Sequence, residues 1–405
     1  MKHVKYLVLG SGPAGLTFAN RLLQLGEESF LVLEKESEAG GLCRSTQVDG
    51  TDLDIGGGHF LDVRRPKVNE FLFGFMPEKE WNKFSRDSRI VLKHDTVHHP
   101  LEANIWEMGI DSQVQYLKSI ARAGCNIGKE MPSKFTDWIY WKLGDRIAED
   151  YMIPYNQKIF SKELDELGTY WLDKLPNVSF EDTLRSCLEH KAYGEQPGHA
   201  EFYYPKEHGY GELWLRMADA LGDRIIYNAP VTKMNIEKKE IHIAGDCEVY
   251  SADCIITTIP WTSIREYEDT LPELVDAIKY LKHSSVEIKY VPENLDTPAH
   301  WLYCPSQELS YHRILVRSNF CANSKGYWTE TNGERVIESD TEMEGCFMNE
   351  YAYPLNTIEK PEKIAFILQH CKENGIIGLG RWGEHQHFNS DAVVERSLKL
   401  AEELV

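Results

Sequence analysis

Gly10, Gly12 and Gly15 stand in the spacing G-x-G-x-x-G, directly after the apolar run Val4–Leu9 and ahead of Leu16, Ala19, Leu22 and Leu23 at helical intervals. A strand, a glycine turn and a helix in that order suit the binding of a dinucleotide. The first glycine permits the turn, the second admits backbone amides to a pyrophosphate, and the third lets helix and strand close on each other; the helix N-terminus favours the negative charge. Glu34 ends the next apolar run, Phe30–Leu33, nineteen residues beyond Gly15, where a carboxylate can accept hydrogen bonds from a ribose. Without this context the glycines would read as a tight turn and Glu34 as a surface residue.

Two further glycine-rich loops follow, Gly40-Gly41-Leu42-Cys43-Arg44 and Asp54-Ile55-Gly56-Gly57-Gly58-His59. They suggest close backbone approach along an extended cofactor, as a flavin ring system requires. With Glu34-Lys35 and the first glycine loop, they resemble the flavin-containing superfamily of amine oxidases, protoporphyrinogen oxidase and UDP-galactopyranose mutase. Later segments are similar to the mutase branch: Pro154-Tyr155-Asn156-x-Lys158, Phe202-Tyr203-Tyr204-Pro205 with Gly209-x-Gly211-x-Leu213-Trp214, Tyr311-His312-Arg313-x4-Ser318-Asn319, and Gly380-Arg381-Trp382-Gly383-x3-His387-x3-Asp391.

The resemblance implies FAD as cofactor, active in its reduced form. It places FAD against Gly10, Gly12, Pro13, Ala14 and Gly15, and against Glu34 and Lys35. Gly41, Leu42 and Arg44 from the second loop and Gly57, Gly58 and His59 from the third are implied contacts, as are Val231, Gly380, Arg381 and Asp391. His59 is expected beside the flavin, where it steers N5 protonation, holds the ring through its backbone, or is simply packed. A nucleotide-sugar substrate is implied at Tyr155, Asn156, Tyr204, Lys206, His208, Arg313 and His387, with Arg313 gripping the departing diphosphate. The implied reaction exchanges pyranose and furanose rings through an adduct between reduced flavin N5 and the sugar, so His59 and Arg313 are the catalytic candidates and no side-chain nucleophile is required.

Two departures bear on the substrate. Lys206-Glu207-His208 stands where the mutases carry a second substrate arginine, and His387 where they carry a tyrosine. Lys206 or His208 can restore the charge but not a guanidinium's bidentate grip, which points away from UDP-galactose toward another nucleotide sugar. The alternatives are an FAD-dependent oxidase or desaturase of the protoporphyrinogen-oxidase or amine-oxidase type, and a catalytically silent flavin-binding scaffold.

The elements needed to position these residues alternate along the chain. The first thirty-four residues read as one right-handed βαβ unit. Residues 93–204 carry Trp- and Tyr-rich segments at helical spacing, including a run from Tyr151 to Leu164, and read as a helical insertion. Strand-like runs return at 224–259, residues 286–349 suit an antiparallel sheet, and Asp391 is a plausible N-cap for the last helix. The predicted fold class is therefore α/β: a Rossmann-like FAD-binding domain from 1–92, 205–285 and 350–405, interleaved with a substrate lobe of helices (93–204) and antiparallel sheet (286–349). Adjacent His98 and His99 on a strand would point to opposite faces, so they are assigned to structure and no metal is expected. Trp138, Trp141 and Trp171 read as core or as a platform for a base.

Composition narrows the partners. Forty-four Lys and Arg against 64 Asp and Glu give a net charge of -20, which disfavours nucleic acid. No run approaches the roughly 18 apolar residues of a membrane span, mean hydropathy is -0.43, and the N-terminal apolar run is read as a buried strand, not a signal segment. Nine scattered cysteines without a CxxC pair suggest reduced thiols and a cytoplasmic location. The sequence leaves the oligomeric state open, a homodimer being one of the alternatives.

Overall fold

Strand β1 (Lys2–Leu9), helix α1 (Pro13–Gln24) and strand β2 (Phe30–Leu33) form the expected βαβ unit, with Tyr6 to Leu9 paired in parallel with Phe30 to Leu33. Their side chains alternate between two cores. Tyr6, Val8, Phe30 and Val32 join α1 on one face, while Leu7, Leu9, Leu31 and Leu33 join the core on the other. A parallel strand buried on both faces reads as an unbroken apolar run, which is why this part was legible in the sequence.

The computed structural model describes residues 1–124, 128–160, 164–172, 178–194, 200–245, 247–336 and 345–405. Its first sheet has eight strands drawn from distant parts of the chain. Val249–Thr257 runs parallel to the whole of β1, and Ile225–Ile226 flanks β2. The far edge of Val249–Thr257 is divided: Glu240–Ile243 pairs antiparallel with its first half and Ile376–Gly378 parallel with its second. Val231–Asn235 and Glu266–Glu268 extend the antiparallel side. Helix α1 and the final helix, Ser390–Leu404, cover one face; Pro272–Lys279 and Lys360–Glu373 cover the other.

A second sheet of seven strands runs Cys346–Pro354, His283–Val291, Tyr327–Asn332, Arg313–Leu315, Trp301–Tyr303, Ser88–Val91, Thr96–His98. Only the pairing of Trp301–Tyr303 with Ser88–Val91 is parallel. Ser88–Val91 and all of Cys346–Pro354 thus share a sheet with the 286–349 segment, while Glu201–Pro205 pairs with Leu61–Asp62 and Trp81–Ser85. The architecture is α/β, with these layers interleaved along the sequence.

Helices Ile110–Ala123, Phe135–Ile147, Ile153–Phe160 and Phe180–Glu189 build the expected helical segment. Trp138 is buried in its core, with Trp141 and Trp171 packed against it. The run expected to be helical from Tyr151 is so through Phe160; residues 161–163 and Cys125 lie outside the described residues. The other eight cysteines are free thiols, and no described helix is long and apolar enough to cross a membrane.

One cap differs from expectation. The final helix begins at Ser390 with Asn389 as its N-cap, and Asp391 lies in the first turn, where Arg65 Nε holds its carboxylate at 2.5 Å.

The glycine loops are set by close backbone approach. A Cβ on Gly56 would stand 1.8 Å from the carbonyl oxygen of Leu42, so the second and third loops can meet only with glycine there. Gly56→Ala is expected to destabilise the protein by about 3 kcal/mol. At Gly124 nothing lies within 4 Å of where a Cβ would stand, and Gly124→Ala should stay within about 0.5 kcal/mol. Urea unfolding checks both; equal effects would contradict the assignment.

Candidate functional site

Helix α1 opens at Gly12 with no side-chain cap and no acidic residue in its first turn, leaving its N-terminal amides available to an anion. Pro13 occupies the first turn without removing a needed hydrogen bond. A Cβ on Gly41 would come within 3.2 Å of Gly12 Cα, and one on Gly15 within 2.0 Å of Gly10 O. This is a cradle that only bare backbone can form, as a pyrophosphate requires. Ala14 carries Gly380 over it, since a Cβ on Gly380 would lie 2.8 Å from that of Ala14.

Glu34 is buried and fastened: Oε2 accepts from Ser11 N and Ser11 Oγ, both at 2.7 Å, and Oε1 from Glu36 N at 3.0 Å. Ser11 was not singled out in the sequence, because its role exists only once the loop folds back onto β2. Ala229 N donates to Glu34 O, which brings the start of the Val231 strand beside the same segment. Lys35 is exposed and 3.3 Å from Glu36, while Arg44 donates from Nε to Gly41 O and lies 3.6 Å from Glu36. Leu42 is half-buried, under Gly56.

Beyond the cradle a cavity opens between the two sheets, lined by Gly56, Gly58, His59, Arg86, Trp301, Arg313, Glu330, Tyr353, Arg381, His387 and Ser390 among others. Among the lining residues is Glu330, one that the sequence reading missed. Arg313 donates Nε at 2.8 Å and also Nη2 to Glu330 Oε2, His312 Nε2 lies 3.6 Å from the same oxygen, and Gly58 N donates to Oε1 at 3.2 Å. Burial works to raise the Glu330 pKa, but the charge of Arg313 and the His312 contact outweigh it and hold it at about 2. Arg313 Nη2 also reaches Tyr353 OH at 3.3 Å.

His59 Nδ1 lies 3.0 Å from Gly57 O. A carbonyl can only accept, so Nδ1 carries the proton and Nε2 the lone pair. Burial, helped by the charge of Arg381, lowers its pKa to about 4, so the ring is neutral near pH 7. Arg381 donates to Phe388 O and Ala352 O, and no carboxylate among the described residues pairs with it. His387 stands with its ring 5.0 Å from that of Tyr353. Asp391 and Ser390 are at the final helix's first turn, with Ser390 Oγ 2.8 Å from Tyr210 OH.

The remaining expected substrate residues lie off the cavity wall. Tyr155 is buried against Tyr151, Tyr303 and His312, behind Arg313, and burial raises its pKa well above the usual value. Asn156 donates to Met152 O, at the end of the turn that precedes its helix. Tyr204 donates to buried Asp54 at 3.0 Å. Lys206 is exposed and donates to Lys79 O at 2.8 Å, and His208 is exposed. In their place the structure brings Arg86, Trp301 and Tyr353 to the wall, through strand pairings that no local motif encodes.

The profile of the family described as flavin containing amine oxidoreductase matches residues 13–336. The chain belongs to this family. It is therefore an FAD flavoprotein, and the glycine cradle, uncapped α1 and fastened Glu34 fit that cofactor. A solved structure of reduced UDP-galactopyranose mutase is similar over 99% of this chain and 93% of that one, with a TM-score of 0.88 and 21% identity. A putative protoporphyrinogen oxidase from Exiguobacterium sp. 255-15 is similar over 100% and 98%, with a TM-score of 0.71 and 14% identity. At these identities the likeness concerns the fold. A Baeyer-Villiger monooxygenase of Pseudomonas aeruginosa is 31% identical over 90 residues, which are 22% of this flavoprotein and 15% of the monooxygenase.

Buried neutral histidines make stability depend on pH. Burial holds His59 at about 4, and His99 and His385 at about 3, against an ordinary 6.5. The unfolded chain therefore takes up protons first as pH falls, and this contribution is complete above about pH 6.5 and lost toward pH 4 to 3. Asp54 opposes it: burial raises its carboxyl to about 7, so its contribution fades as pH rises from 4 to 7. With three rings against one carboxyl, the thermal midpoint is expected to fall between pH 6.5 and 4.5, by calorimetry; a rise would contradict the assignment.

Proposed function

We propose that this flavoprotein is a nucleotide-sugar mutase that interconverts pyranose and furanose forms with reduced FAD. The observation that carries the reading is the charge of the cavity: three guanidiniums, Arg86, Arg313 and Arg381, against one carboxylate, Glu330. Such a wall attracts a diphosphate and repels the protonated amine that an amine oxidase must admit. The amine oxidoreductase family as a whole supports the second reading, an FAD-dependent oxidase or desaturase.

Bound and reduced, the flavin supplies the nucleophile for the exchange of ring size. The chain's own residues bind and orient. Gly12, Gly41 and the first turn of α1 hold the pyrophosphate, and Glu34, anchored by Ser11, meets the ribose. Glu330 fixes Arg313 through Nε and Nη2, leaving Nη1 for the departing diphosphate. His59, neutral with Nε2 unprotonated, accepts a hydrogen bond beside the flavin and is not the proton donor near pH 7. The two-lobe division belongs to the same proposal, with the substrate admitted between the sheets.

The test is anaerobic incubation with dithionite-reduced flavin against UDP-, GDP- and dTDP-hexopyranoses, with products resolved by chromatography. An isomer of unchanged mass, formed only with reduced flavin, is expected. No isomer, with oxygen-dependent turnover of an amine or porphyrinogen, would favour the oxidase. Arg313→Ala is expected to weaken nucleotide-sugar binding by about 1.5–3 kcal/mol while flavin content stays unchanged, by titration calorimetry and absorbance.

A further inference from the structure

Arg86 sits where the chain passes from one sheet to another. It follows Trp81–Ser85, which pairs with Glu201–Pro205, and precedes Ser88–Val91, which pairs with Trp301–Tyr303. The crossing is pinned on both sides: Arg86 N donates to Ala200 O at 2.9 Å, Asp87 N to His300 Nδ1 at 3.0 Å, and His300 N to Asp87 O at 2.8 Å. A backbone so held fixes where the side chain starts.

The side chain then reaches over the cavity face of the second sheet. Trp301 and Tyr303 are two residues apart on one strand and so share a face, and Tyr303 pairs directly with Arg313. The Arg86 guanidinium lies 4.7 Å from the Trp301 ring centroid and donates from Nη2 to Tyr303 OH at 2.6 Å. Stacking and one hydrogen bond aim a planar cation into the cavity that Arg86 lines with Arg313.

We propose that Arg86 is a substrate-contacting, specificity-determining residue that binds a second anionic oxygen group of the substrate, on the far side of Tyr303 from Arg313. The assignment rests on the nucleotide-sugar reading. Two sources share this chemistry, a phosphate of the nucleoside diphosphate and a carboxylate on the sugar.

The experiment is titration of the FAD holoenzyme with UDP, GDP, dTDP, uridine, UDP-glucose and UDP-glucuronate, in wild type, Arg86→Met, Arg86→Lys and Lys206→Met. For a phosphate, Arg86→Met weakens UDP about 30-fold while leaving uridine unchanged. For a sugar carboxylate, the loss is confined to UDP-glucuronate relative to UDP-glucose. In either case Arg86→Lys retains part of the affinity, since it keeps the charge without the fork, and Lys206→Met binds as wild type. Arg86→Lys and the salt dependence of wild-type binding serve if Arg86→Met loses its flavin. Binding unchanged in Arg86→Met, or uridine and UDP weakened alike, would overturn the assignment alone. A wild type that binds none of the nucleotides would overturn the nucleotide-sugar reading, and this assignment with it.

Discussion

One buried carboxylate holds the Arg313 side of the cavity together. Glu330, 1% exposed, receives Arg313, the His312 contact and the amide of Gly58. A buried ion pair pays heavily in lost hydration, and its net worth to stability is small. Its value here is geometric. The carboxylate ties the arginine strand, the central strand Tyr327–Asn332 and the glycine loop at Gly58 into one arrangement. Removing Arg313 leaves a buried charge without its complement, so the pair holds these elements in their relation.

The same logic of distant segments meeting governs the cofactor side. The dinucleotide turn belongs to β1 and α1, but Gly12 closes against Gly41, Ala14 against Gly380, and Glu34 against Ser11. Val249–Thr257 completes the sheet from more than two hundred residues away, and the final helix lies against α1, with Arg21 2.7 Å from Glu402. The site is assembled where loops leave the strands, with two opposite cores keeping the sheet rigid beneath it.

The legible residues were those whose reasons are local. The spacing of Gly10, Gly12 and Gly15 and the double-sided burial of β1 and β2 are both written in short runs. Where two choices were locally equivalent, the reading erred: Asp391 and Asn389 are both good caps, and the helix starts after Asn389, with Asp391 in its first turn paired with Arg65, 326 residues away. Lys206 and His208 sat next to a recognisable loop, but the strand they follow turns them outward, onto Lys79 O and solvent. Glu330 and Arg86 carried no motif at all.

By itself the sequence determined that the chain folds as α/β around a glycine turn after its first strand, because that depends on periodicity and on backbone freedom within about thirty residues; Arg313 was singled out only by resemblance to the mutases. Only the tertiary structure decided which charges face that cavity. Cross-strand register sets Arg313 against Glu330 and Tyr303, and the crossing between sheets delivers Arg86 to Trp301. Register is a property of two strands, and no single strand contains it.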